Sequence, residues 1–132
     1  MNGSWLFRRG MPIPILQAMT EAVDFHVHLY FDAHQVELAR EVAADVARRF
    51  GASTGHFHIR PVGPHPRGSV QLTVAPDRFG EVACWLPLNR RGLTVFAHPS
   101  TGDDRSDHVD HVIWFGPSEP LAIGMFERKE QS

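Results

Sequence analysis

The apolar and polar positions of residues 25–31 alternate without a break. Phe25, Val27, Leu29 and Phe31 fall on one side, and His26, His28 and Tyr30 on the other, which predicts a strand with one face on a core. Asp32 and Gln35 then form a capping-box pattern. Val36, Ala39, Ala43, Val46 and Phe50 follow at helical spacing, with Arg48 and Arg49 in the last turn and Gly51 as a stop. A second strand is expected over 55–62, with Phe57 and Ile59 opposed to His56, His58 and Arg60. A third covers 69–75, with Val70, Leu72 and Val74 opposed to Ser69, Gln71 and Thr73. A second helix begins at Asp77, carries Phe79, Val82, Ala83 and Leu86 inward, and is expected to end at Pro87. Cys84 on that helix reads as a small core residue. A fourth strand runs over 93–99, and residues 111–115 suggest a fifth. From Pro117 onward there is no clear period.

The order β-α-β-β-α-β predicts an α+β, ferredoxin-like sandwich: a four-stranded antiparallel sheet of order 4-1-3-2 with two helices on one face. We expect an irregular leader over 1–23, one domain over 24–122 and a tail over 123–132. If the apolar sets face the helices, the other face is an open surface. It collects His26, His28, Tyr30, His56, His58, Arg60, Thr94, Phe96 and His98. Antiparallel pairing of strands 1 and 4 sets His98 across from His26, and Phe96 across from His28. Paired side chains have Cβ atoms about 5 Å apart, close enough for two imidazoles to share one metal through bonds of about 2.0–2.1 Å. His28 is the natural third ligand, and His58 lies further across.

Composition narrows the class. The chain has 132 residues, 42% hydrophobic and 21% charged, which is the make-up of an ordinary globular domain. A net charge of −2 argues against a generic nucleic-acid or anionic-membrane binder. One cysteine excludes an intrachain disulfide and a Cys-based zinc ribbon. The first twenty residues hold Arg8, Arg9 and a short apolar run broken by Pro12 and Pro14, unlike a secretory signal, and no run is long enough to span a membrane. A cytoplasmic protein is expected.

Nine histidines in so short a chain carry most of the functional signal. A lone surface histidine is usually polar filler, whereas several on one face favour metal or proton chemistry. The same face can instead line a contact between two subunits. His65, between Pro64 and Pro66, reads equally as an incidental member of a stiff turn or as a preset functional group. The run 88–92 holds Arg90, either a solvated helix end or an anion clamp. Asp107-His108 and Asp110-His111 place carboxylates beside imidazoles in a polar loop. Phosphate loops, nucleophile elbows and HExxH motifs are absent.

Taken together, residues 25–31, 62–66, 85–90 and 95–104, with Asp107-His108, resemble the DOPA 4,5-dioxygenase family, small extradiol ring-cleaving enzymes. The resemblance spans roughly residues 24–122. It implies a ferredoxin-like homodimer with a non-haem Fe(II) that opens a catechol such as L-DOPA with O2; another divalent metal can occupy the site after purification. Catechol chelation leaves room for few protein ligands. On this reading His26, His28 and His98 hold the metal, and His65 and His108 act as acid and base. Tyr30, His58, Arg60 and Arg90 contact substrate. No carboxylate is evident on the open face, so any acidic ligand is expected from the loop 103–107. The competing readings are a cofactor-free oxygenase of the same fold and a non-enzymatic dimeric metal-binding module.

Overall fold

The computed structural model describes residues 21–131; residues 1–20 of the expected leader over 1–23 lie outside them. Five strands form one antiparallel sheet: β1 (Asp24–Tyr30), β2 (Ser53–Thr54), β3 (Ser69–Val74), β4 (Thr94–Ser100) and β5 (Ile113–Phe115), in the order β2-β3-β1-β4-β5. The expected order 4-1-3-2 is present, and β5 extends it beyond β4. Four α-helices accompany the sheet: α1 (Val36–Phe50), α2 (Pro76–Asn89), α3 (Asp104–Val109) and α4 (Gly124–Gln131). The architecture is therefore α+β with five strands and four helices, where four strands and two helices were expected. Among the described residues no helix is long and apolar enough to cross a membrane.

The core follows the alternation. Val27, Leu29, Val70, Leu72, Val74, Val95 and Ala97 turn to α1 and α2, where Ala39, Val42, Ala43, Val46, Val82 and Leu86 meet them, all essentially excluded from water. Burial at roughly 25 cal/mol per Å² of apolar surface makes this layer the main source of stability. A 3₁₀ turn over Ala33–Gln35 leads into α1, and the Asp32 backbone N–H donates to Gln35 Oε1 at 2.9 Å. Gly51 ends α1 at φ 71°, a left-handed cap open to glycine at little cost.

Three local expectations are corrected. The strand over 55–62 is reduced to β2 plus a single bridge, His58 to Ser69. Thr54 pairs with Leu72 and His58 with Ser69, so four steps on one side match three on the other. The extra residue is a β-bulge, which breaks the alternation assumed for His56, His58 and Arg60. Pro87 does not end α2, which continues to Asn89. The lost N–H costs one bond near the terminus, while buried Leu86 anchors that turn and Asn89 Nδ2 donates to the Trp85 carbonyl at 2.7 Å. Cys84 is exposed, because the buried stripe of α2 runs through Val82 and Leu86 and leaves the position between them facing water.

The sheet face opposite α1 and α2 is not open either. His28, Tyr30, Thr94, Phe96 and His98 on it are all buried. The loop 61–67, α3 and the segment from β5 to α4 cover them. Phe126 of α4 is buried with its ring 4.7 Å from that of His108.

Candidate metal centre

The register of β1 and β4 builds the centre. His26 pairs with His98 and His28 with Phe96, as the alternation predicted. The three imidazoles of His26, His28 and His98 each offer a nitrogen within 4.8 Å of the others. His28 Nε2 lies 3.2 Å from His98 Nε2. Two ligands bonded to one ion at about 2.1 Å stand about 3.0 Å apart at a right angle and about 3.4 Å apart at the tetrahedral angle. The observed spacing falls between, so the pair is set for a shared ion. His98 Nδ1 donates to the Pro99 carbonyl at 2.8 Å, which leaves Nε2 with its lone pair toward the centre. Asp24, at the start of the same strand face, brings Oδ1 to 3.2 Å from His26 Nε2. That oxygen is buried and has no hydrogen-bond partner. No carboxylate was expected on this face, yet the alternation that places 26, 28 and 30 together also places 24 there.

Burial sets the charge state of the cluster. It pushes the His28 ring well below the ordinary imidazole range, with the neighbouring His65, His98, His26 and His108 acting in the same direction. His65 falls to about 4 for the same reason, reinforced by His108 and His98. His98 also falls to about 4 through burial, although its bond to Pro99 opposes the shift. Neutral imidazole is the form that binds metal.

His65 reaches the cluster from the loop 61–67. Its ring lies 4.2 Å from that of His28, and its Nδ1 is 2.8 Å from the Tyr30 hydroxyl. Burial raises the Tyr30 phenol, so Tyr30 keeps its proton and donates it to Nδ1. The ring's own hydrogen is then on Nε2. Arg67 ties the loop down: Nε and Nη2 donate to the two carboxylate oxygens of Glu119 at 3.0 and 2.8 Å, and Nη1 to Asp32 at 3.2 Å. Ala122 N–H donates to the Pro64 carbonyl at 2.9 Å. At Gly68 a Cβ would stand 2.8 Å from the Phe31 carbonyl, so only glycine lets the loop return to β1 this closely.

His108 comes from α3, which sequence periodicity did not reveal. Asp103 caps that helix by accepting from Ser106 N–H at 3.1 Å. Asp107 is buried and accepts from Thr101 N–H at 2.9 Å and Thr101 Oγ1 at 2.5 Å. Asp103 and Asp107, two of the three carboxylates in the loop 103–107 considered for an acidic ligand, are thus engaged locally. His108 Nδ1 donates to the Asp104 carbonyl at 2.7 Å, and its ring lies 4.2 Å from that of His98. In the neutral ring this tautomer puts the lone pair on Nε2, the reverse of His65.

The remaining candidates are dispersed. Tyr30 is wholly buried and engaged with His65. His58 is half-buried, its ring 4.7 Å from that of His56. Arg60 is exposed. Arg90 Nη1 donates to the Leu93 carbonyl at 2.8 Å, and its guanidinium lies against Gly116. Two cavities flank the histidines. One, about 260 Å³, is polar and touches His28, His56, His58, His65 and Gln71. The other, about 320 Å³, has Val112, Trp114, Leu121 and Ile123 as apolar walls beside His108.

Comparison with known proteins identifies the family. The profile of the Dopa 4,5-dioxygenase family matches residues 25–125. The chain is 33% identical over 113 residues to the DOPA 4,5-dioxygenase of Amanita muscaria, covering 79% of this chain and 50% of that protein, so it spans about half the length of that relative. It is 30% identical over 128 residues to an uncharacterized 21.2 kDa protein of Botryotinia fuckeliana, covering 89% and 70%. The crystal structure of a candidate dioxygenase from Nostoc punctiforme superposes with a TM-score of 0.77 at 39% identity, over 83% of this chain and 94% of that one.

Proposed function

Because this chain belongs to the Dopa 4,5-dioxygenase family, we propose that it opens the ring of a catechol such as L-DOPA with O2, in the extradiol manner. The observation that carries the reading is the His26–His28–His98 cluster, spaced for one ion, with His28 and His98 buried and their imidazoles held neutral by that burial. Three imidazole nitrogens would suit Fe(II) and would leave it open to a catechol's two oxygens. Bound there, Fe(II) would supply the redox chemistry that joins O2 to the ring.

The chain's own groups handle protons. His108 Nε2, with its lone pair, accepts the proton that a catechol hydroxyl gives up on binding. His65 presents Nε2–H, held in that tautomer by Tyr30, and donates to oxygen on the opposite side of the cluster. The apolar cavity beside His108 and Trp114 suits the aromatic ring. Arg67 and Glu119 keep the His65 loop over the site. Arg60 and Arg90 are not assigned to the ring itself, and a ring substituent is left to the polar cavity with His56 and His58.

The test is oxygen uptake by protein loaded anaerobically with Fe(II), across a panel of catechols, with formation of a yellow ring-opened product. The reading expects uptake coupled to product, abolished by a chelator and by His98→Ala. Iron bound without uptake on any catechol would overturn it.

A further inference from the structure

We infer that Asp24 is the outer carboxylate of the metal centre, positioning His26 so that it binds the ion through Nδ1 while Nε2–H faces Asp24; this rests on the three-histidine centre proposed above.

Two observations lead there. Asp24 Oδ1 is buried and has no hydrogen bond, although His26 Nε2 is only 3.2 Å away. A buried carboxylate oxygen without a donor is costly, and the imidazole N–H is the donor at hand. A small rotation of the His26 ring brings that N–H into line. Metal-binding histidines almost always donate their second ring nitrogen to a carboxylate or carbonyl. His98 already does so, with Nδ1 on Pro99.

Coordination number argues against Asp24 as an inner ligand. Three histidines, two catechol oxygens and O2 already fill an octahedron. The carboxylate also stands outside the group of nitrogens that lie mutually within 4.8 Å. Its negative charge raises the basicity of His26 and partly offsets the ion's charge without occupying a position. The centre would then be mixed, with His26 bound through Nδ1 and His28 and His98 through the Nε2 atoms that face each other.

The experiment uses the full chain labelled with ¹⁵N and loaded with Zn(II) as a diamagnetic probe. Two-bond ¹H–¹⁵N spectra assign the protonated nitrogen of each histidine. His26 should carry its proton on Nε2, and His28 and His98 theirs on Nδ1. Titration calorimetry with Zn(II) should show Asp24→Asn and Asp24→Ala weakened by roughly 10- to 100-fold, and His98→Ala by more. A His26 bound through Nε2, or an Asp24→Asn protein that binds as tightly as the parent, overturns the inference and leaves the three-histidine centre standing. A parent protein that binds no Zn(II) overturns both. The spectrum of the parent decides the matter even if the variants fail to fold.

Discussion

Mild acid should destabilise the metal-free protein before most of its carboxylates titrate. His65 and His98 have an ordinary value of 6.5 when exposed and fall to about 4 in the folded chain. The unfolded chain therefore takes up protons that the folded one refuses. The stability these rings contribute is intact above pH 6.5 and is lost as pH falls from there toward 4. At about pH 5 an unfolded ring is almost fully protonated and a folded one about a tenth so, a difference of about 2 kcal/mol per ring. Residual solvent contact and coupling between neighbours reduce the pair to about 3 kcal/mol. Burial moves His28 the same way and adds to the loss. Asp103 and Glu119, held below their ordinary 3.8 and 4.5, lose their contribution mainly below about pH 5 and so add little between pH 7.5 and pH 5. A loss of this size is a large part of the roughly 5–15 kcal/mol that holds a domain together. The assay is urea unfolding by tryptophan fluorescence, in chelator, at about pH 7.5 and about pH 5, with the slope m checked for constancy. The midpoint should fall steeply, and His65→Gln combined with His98→Gln should reduce the dependence to the share that His28 carries. A free energy unchanged within about 0.5 kcal/mol would refute the picture of buried, neutral imidazoles.

Other substitutions separate positioning from packing. Tyr30→Phe leaves His65 Nδ1 without its donor; turnover should fall at least tenfold while Zn(II) affinity by calorimetry stays unchanged, at a stability cost of about 1–2 kcal/mol. Arg67→Met breaks three charge-assisted bonds and should free the His65 loop. Its amides should exchange faster by hydrogen–deuterium mass spectrometry, with a loss of about 1–3 kcal/mol. Gly68→Ala puts a methyl group 2.8 Å from the Phe31 carbonyl and should cost more than about 2 kcal/mol by thermal melting, without touching any histidine.

The pairing of His26 with His98 was legible because two strict alternations fix parity, and antiparallel connectivity fixes register. The sheet order followed from handed crossovers. What sequence could not supply is the cover. The loop 61–67 has no period, and α3 is six residues long, too short for a hydrophobic stripe. A face that alternation marks as polar can lie exposed or under such segments, and here the second holds. Hence His28 and His98 are buried and neutral, not surface groups. The bulge at 55–57 escaped for a related reason: one extra residue in an edge strand leaves the local pattern intact while changing the side to which it points. Asp24 was within reach, since the period of two extends back from His26. Its carboxylate stood out only once its buried oxygen was seen beside that ring.

The account stands most directly on whether both atoms of O2 enter an opened ring. Fe(II)-loaded protein should be given a catechol under ¹⁸O2, the product reduced with borohydride as it forms so that its aldehyde oxygen cannot exchange with water, and the reduced product read by mass spectrometry. The account predicts both labelled atoms in a ring-opened product, with none formed by His98→Ala. A product carrying one labelled atom or none, or label incorporated equally well by His98→Ala, would contradict it.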